Sequence, residues 1–115
     1  MIIYFIIFII LCLLYFFLNN NKIKIEKIKL IYFNSSWCYW SKKLSSIIKE
    51  LKNDPIHKNI DIIDIKCDLN FNKNICNKYN IYEYPTIKLI SNNKIVEYLG
   101  DININELKLF IKNNI

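Results

Sequence analysis

Leu30-Ile31-Tyr32-Phe33-Asn34-Ser35-Ser36-Trp37-Cys38-Tyr39-Trp40-Ser41 is the stretch from which the rest of the chain is read. Its first four residues end an apolar, β-branched and aromatic run over 28–33, the composition of a strand buried on both faces. Past Cys38 the period changes. Leu44, Ile47, Ile48 and Leu51 recur at three- and four-residue spacing, the apolar face of a helix, and Asn53-Asp54-Pro55 ends it. A cysteine between such a strand and such a helix stands at a helix N-terminus, where unpaired N–H groups and the helix dipole stabilise a thiolate. Cys38 is therefore a candidate nucleophile, and Ser41, one turn on, is placed to donate a hydrogen bond to its sulfur. Read locally, the same residues also fit an inert buried cysteine beside a helix-start serine.

Working outward, the pattern predicts a second strand over 60–66, a short helix over 72–79 and a third strand over 86–90. Asn92-Asn93 reads as a tight turn, because Asn tolerates positive φ, leading into a strand over 94–99 and a break at Gly100. A last helix over 103–113 carries Ile104, Leu107 and Ile111 on one face. The order is β-α-β-α-β-β-α, an α/β domain over 28–115.

Before it lies a different kind of segment. Residues 2–18 contain no charge and no strongly polar group, and seventeen residues of helix reach ~26 Å, the short end of what crosses a bilayer. This predicts one transmembrane anchor over 1–18, suited to a thin membrane such as that of the endoplasmic reticulum. A secretory signal peptide would instead place Lys or Arg before the apolar run and small residues after it, whereas Met1 leads straight into Ile2 and the exit is Asn19-Asn20-Asn21-Lys22. Residues 19–27 read as a polar stalk, or as an extra edge strand at 23–25. Lys22, Lys24, Lys27 and Lys29 follow the span against Glu26 alone, so the positive-inside rule turns the domain to the cytoplasm; an oxidising lumen is the alternative that cysteine chemistry would prefer.

With 115 residues, one Gly and two Pro, the chain has room for a single small domain and is neither collagen-like nor disordered by composition. All sixteen basic residues are Lys, interleaved with ten acidic ones for a net charge of +6; without Arg or a dense basic run, this excludes nucleic-acid readout. Ala, Arg and Gln are absent while Ile, Asn and Lys abound, the mark of an AT-rich coding bias, so single Ile, Asn or Lys choices carry little weight.

Over residues 22–115 the chain resembles the thioredoxin superfamily. Residues 30–38 are similar to the strand, loop and Trp-Cys entrance of its active-site helix, and Lys42-Lys43-Leu44 resembles the continuation in protein disulfide isomerase domains. Lys66-Cys67-Asp68-Leu69-Asn70 resembles the end of the next strand, and Tyr79-Asn80-Ile81 followed by Tyr84-Pro85-Thr86 resembles the family's Tyr-x-Ile and Pro-Thr segment. The resemblance implies a thioredoxin fold, a central mixed sheet flanked by helices, with a cis Pro85 facing Cys38. It also implies a substrate surface of Trp37, Tyr39, Trp40, Tyr84, Pro85 and Thr86, with Trp37 packed near the site and Trp40 the more exposed of the two.

The departures shape the expected chemistry. The family's redox pair is Cys-x-x-Cys, and here the second position is Ser41, a hydroxyl too weakly acidic to resolve a mixed disulfide at neutral pH. A buried carboxylate that moves protons in the family aligns with Tyr32, so that role has no occupant. Cys67 and Cys76 are the alternative resolving thiols, although burial as small apolar side chains is the plainer reading of each; Cys12 lies in the membrane segment. With no Cys-x-x-Cys pair and a single His57 in a surface loop, neither a metal site nor a cofactor is expected, and Asp61, Asp64 and Asp68 read as solvated strand ends. The expected function is a membrane-anchored thiol-disulfide exchange protein acting through Cys38, in isomerase-like or deglutathionylation chemistry on client proteins, with a thiol such as glutathione as co-substrate. The alternatives are a redox-inactive module that holds clients and a scaffold whose site is degenerate.

Overall fold

A computed structural model describes residues 1–20 and 27–115. Of the expected stalk over 19–27, residues 21–26, with the alternative edge strand at 23–25, lie outside the described residues, as does the side chain of His57, whereas Asn19 and Asn20 belong to the first helix. The elements are helix α1 (Ile2–Asn20), strand β1 (Ile28–Asn34), helix α2 (Tyr39–Lys52), strand β2 (Ile60–Lys66), helix α3 (Lys73–Lys78), strands β3 (Thr86–Ser91) and β4 (Lys94–Glu97), and helix α4 (Ile104–Asn113). Two short 3-10 segments, Pro55–Asn59 and Asn70–Asn72, were not legible in the hydrophobic period, since each is too short to show one.

The sheet has the order β2-β1-β3-β4. β1 pairs in parallel with β2, Ile28 opposite Ile60 through Asn34 opposite Lys66, and a parallel pair needs a crossover, which α2 supplies. β3 runs antiparallel to β1, with Tyr32 opposite Ile87 and Phe33 opposite Thr86. The tight turn joining β3 to β4 holds Asn92 and Asn93 at φ of 50° and 62°, the left-handed region that Asn enters at low cost. β4 stops at Glu97, two residues short of the expected end, although the Tyr98 N–H still donates to the Ile87 carbonyl.

β1 is buried on both faces because helices cover both. Leu30 and Tyr32 point into a cluster with Leu44, Ile48 and Leu51 of α2 and Leu107 and Ile111 of α4, and Ile31 and Phe33 point the other way, toward Ile65, Cys76 and Ile81. Truncating one of these fully enclosed residues, Leu107→Ala for example, removes transfer energy and leaves a cavity, together about 2–5 kcal/mol. α4 begins at Asn103, whose side chain accepts from the Asn105 and Glu106 N–H groups and satisfies two donors of the first turn. This register places the C-terminal ends of β1 and β2 and the start of β3 side by side, and the chemistry gathers there.

α1 has no buried residue, and it is long and apolar enough to cross a membrane.

Candidate active site

Cys38 closes the loop after β1 and caps α2. Its backbone is extended, its N–H donates to the Ser35 carbonyl, and its own carbonyl accepts from the Lys42 N–H at 3.1 Å. The sulfur is half-buried and lies 3.8 Å from the carbonyl oxygen of Tyr84, the residue before the cis Tyr84–Pro85 peptide bond. The Ser41 backbone N–H lowers the Cys38 pKa most; partial desolvation opposes it, and the Ser41 hydroxyl and the Trp40 N–H add to the lowering. All three donors belong to the first turn of α2, where N–H groups lack helical partners.

Ser41 is buried, and its hydroxyl accepts from the Ser35 N–H at 3.2 Å. Its carbonyl accepts a hydrogen bond from the Tyr32 hydroxyl, which also lies 3.4 Å from Ser45 Oγ. Tyr32 is fully enclosed. Burial raises its pKa most, the bond with Ser45 opposes this, and the charges of Asp64 and Cys38 raise it further, so the phenol is a neutral donor. The position at which the resemblance left no occupant thus carries a hydrogen-bonding group, although not a carboxylate.

The loop is tied to β2 by polar contacts. Asn34, buried at the end of β1, donates its amide to Asp64 Oδ1 at 2.6 Å and to the Ile65 carbonyl, and its own carbonyl accepts from the Cys67 N–H at 2.8 Å. The Ser36 N–H donates to Asp68 Oδ1 at 3.2 Å. Desolvation raises the Asp68 pKa, but the Ser36 N–H and hydroxyl outweigh it and the net shift is downward. Asp64 and Asp68 are exposed, yet both are hydrogen-bond anchors of the site loop and not merely solvated ends.

Cys67 and Cys76 correct the expectation of two reduced side chains: they form a disulfide, with Cα atoms 6.0 Å apart. Cys67 follows β2 and Cys76 lies on α3, and both face the cluster around Phe33 and Ile81, within the distance a disulfide spans. Neither is a free resolving thiol; the free cysteines are Cys12 and Cys38.

Around Cys38 stands an aromatic rim. Trp37 is 72% exposed and Trp40 52%, the reverse of the expected ranking; Trp37 stands on the loop before α2, its ring T-shaped to that of Tyr84 at 6.3 Å. Tyr39 is exposed against Trp40, whose ring also lies 5.2 Å from Lys43 Nζ. Beside this rim lies a groove of about 190 Å³, lined by Trp40, Tyr84, Pro85, Tyr98, Gly100 and Ile102. Thr86, half-buried, turns its hydroxyl to the Glu83 carbonyl and so braces the Pro85 loop. The structure thus gathers Trp37, Cys38, Tyr39, Trp40, Ser41, Tyr84, Pro85 and Thr86 at one end of the sheet, and leaves Cys67 and Cys76 in the core beneath. Tyr98 and Ile102 were missed by sequence reasoning; only Gly100 signalled a turn nearby.

A family model described as thioredoxin matches residues 18–113. The chain belongs to the thioredoxin family. Among curated relatives, this thioredoxin domain is 28% identical over 106 residues to a mitochondrial thioredoxin domain-containing protein of Schizosaccharomyces pombe, covering 84% of the chain and 29% of that protein. It is 30% identical to protein disulfide-isomerase 1 of Dictyostelium discoideum over 77% of the chain and 25% of that protein. The chain therefore spans between a quarter and three tenths of the length of these two relatives. Human ERp44 in its zinc-bound form superposes on 76% of the chain and 27% of its own, with 26% identity and a TM-score of 0.66.

Proposed function

We propose that this thioredoxin domain carries out thiol-disulfide exchange through one nucleophile, Cys38, while α1 holds it at a membrane. The observation that carries the reading is the half-buried sulfur at the start of α2, with a lowered pKa, next to the Pro85 loop and an open groove. The thiolate attacks one sulfur of a client disulfide, forming a Cys38–client bond and releasing the other sulfur as a thiolate. A second client thiolate then attacks the mixed disulfide and frees Cys38, so the client is rearranged without net oxidation. On a glutathionylated client, Cys38 takes the glutathione and the client leaves as a thiolate; a second glutathione thiolate then releases glutathione disulfide. Trp37, Tyr39, Trp40, Tyr84, Pro85 and Thr86 form the client surface, and Ser41 acts as a thiolate-stabilising donor.

Two features oppose each other over which side the domain faces. Lysines after the span favour the cytoplasm, whereas the Cys67–Cys76 bond favours an oxidising compartment. We favour the oxidising side, because flanking charge biases insertion while a reducing compartment acts against the bond itself.

The test is trapping. Cells expressing the full chain are quenched with acid and an alkylating reagent, and disulfide-linked partners are identified by mass spectrometry. Adducts that vanish in Cys38→Ser support the reading, and the compartment of the clients reports the side of the membrane. An unlinked Cys38 under resting and oxidising conditions overturns it. A second reading, a module that holds clients without thiol chemistry, rests on the exposed rim of Trp37, Tyr39 and Trp40; client binding fully retained in Cys38→Ser selects it.

A further inference from the structure

We infer that Tyr32 is a positioning residue for Cys38: by donating to the Ser41 carbonyl it holds the first turn of α2, and with it the orphan N–H groups that begin the helix, in place beside the sulfur. The inference rests on the Cys38 reading above and adds to it the residue that sets the nucleophile's environment.

Ser41 is held from two sides. Its hydroxyl is fixed by the Ser35 N–H, at 3.2 Å, and its carbonyl by the Tyr32 hydroxyl, in the turn that follows the N-cap Cys38. Tyr32 is suited to this because its own position has no freedom. It is 0% exposed, lies in β1 with Ile87 and Asp64 opposite on the two neighbouring strands, and packs in the cluster that includes Leu44 and Ile48 of α2. The strand thus supplies a rigid post, and the phenol transmits its position to the helix start. Ser45, one turn further along α2, lies 3.4 Å from the same hydroxyl and offers it a second partner.

A backbone carbonyl inside a helix already has a partner in the N–H four residues on, so the Tyr32 bond is not needed to satisfy Ser41. Its removal should leave the helix intact and loosen only its first turn. The phenol faces two ionisable groups, Asp64 and Cys38, and both act to keep it protonated. It therefore remains a donor over the range in which Cys38 titrates, and takes no part in the proton balance of the exchange.

The test is the pH profile of Cys38 alkylation, read peptide by peptide by mass spectrometry on the full chain in detergent micelles, with the melting temperature measured in parallel. In the wild type the midpoint should lie below that of a free cysteine. In Tyr32→Phe, which keeps the ring and removes the hydroxyl, the midpoint should rise toward the free value and alkylation at pH 7 should slow by roughly threefold, the weight of one neutral hydrogen bond. A merely structural tyrosine would lower the melting temperature and leave the midpoint alone; that result overturns the inference while leaving the Cys38 reading in place. A wild-type midpoint at the free-cysteine value overturns both. Were Tyr32→Phe not to fold, 4-fluorophenylalanine at position 32 replaces it, filling the hydroxyl's space without a donor; an upward shift supports the role, and an unmoved midpoint overturns it.

Discussion

Cys38 and the Cys67–Cys76 pair lie at the same end of one sheet, joined through a single layer of hydrogen bonds, yet the same element has opposite fates in the two places. Cys38 sits where a helix begins, with donors of the first turn around a half-buried sulfur and Ser41 where a partner thiol would be. Cys67 and Cys76 sit in an apolar cluster with Phe33 and Ile81, where a thiolate would be desolvated, and they are spent on each other. The contrast teaches that sulfur reactivity here is a property of the backbone around it. Orphan N–H groups favour a thiolate, and an apolar cluster holds a cross-link.

Adding a second thiol to the exposed site breaks the contrast most sharply. Ser41→Cys should form a bond with Cys38, resolve client adducts internally and shorten their lifetime by at least roughly tenfold, with insulin reduction rising above that of the wild type. Insulin reduction unchanged by that substitution would point to the missing carboxylate at Tyr32, or to the bulky Tyr39-Trp40 pair, as the stronger block. Next in size is the loss of the buried pair. Cys67→Ala with Cys76→Ala opens a loop of sequence separation 9 and should cost about 2–3 kcal/mol in denaturant unfolding, while Cys38 adducts persist. Adducts that disappear together with the buried bond would make it part of the exchange chemistry. The smallest effect belongs to the contact between the two regions. Asp68→Ala removes the acceptor of the Ser36 N–H, so the Ser36 amide should exchange faster with solvent while the melting temperature barely changes. Because the folded Asp68 pKa is lowered, the stabilisation is present at neutral pH and is lost as pH falls through that lowered value; the difference between wild type and variant should close in acid.

Much of this was legible along the chain. The change from an apolar run at 28–33, broken only by Lys29, to helical spacing at Leu44, Ile47, Ile48 and Leu51 located the strand, the helix and the cysteine between them, since both periods are local. The Asn92-Asn93 turn was legible for the same reason, as positive φ is a property of the residue itself. Trp37 was not: its exposure depends on what stands opposite, and its ring partner, Tyr84, is brought from 47 positions later.

The set of elements, the apolar helix before them and the identity of the one cysteine at a helix start were thus readable along the chain alone, since all follow from periodicity and residue type within about a dozen positions. Partnership came only with the folded chain. It joined Cys67 to Cys76, turned Tyr32 from an unoccupied role into a donor on Ser41, and brought Tyr98, Gly100 and Ile102 to the groove beside Pro85. Such pairings depend on the register of β1 against β2 and β3, and register is set by the summed burial of both sheet faces, which no single stretch of sequence contains.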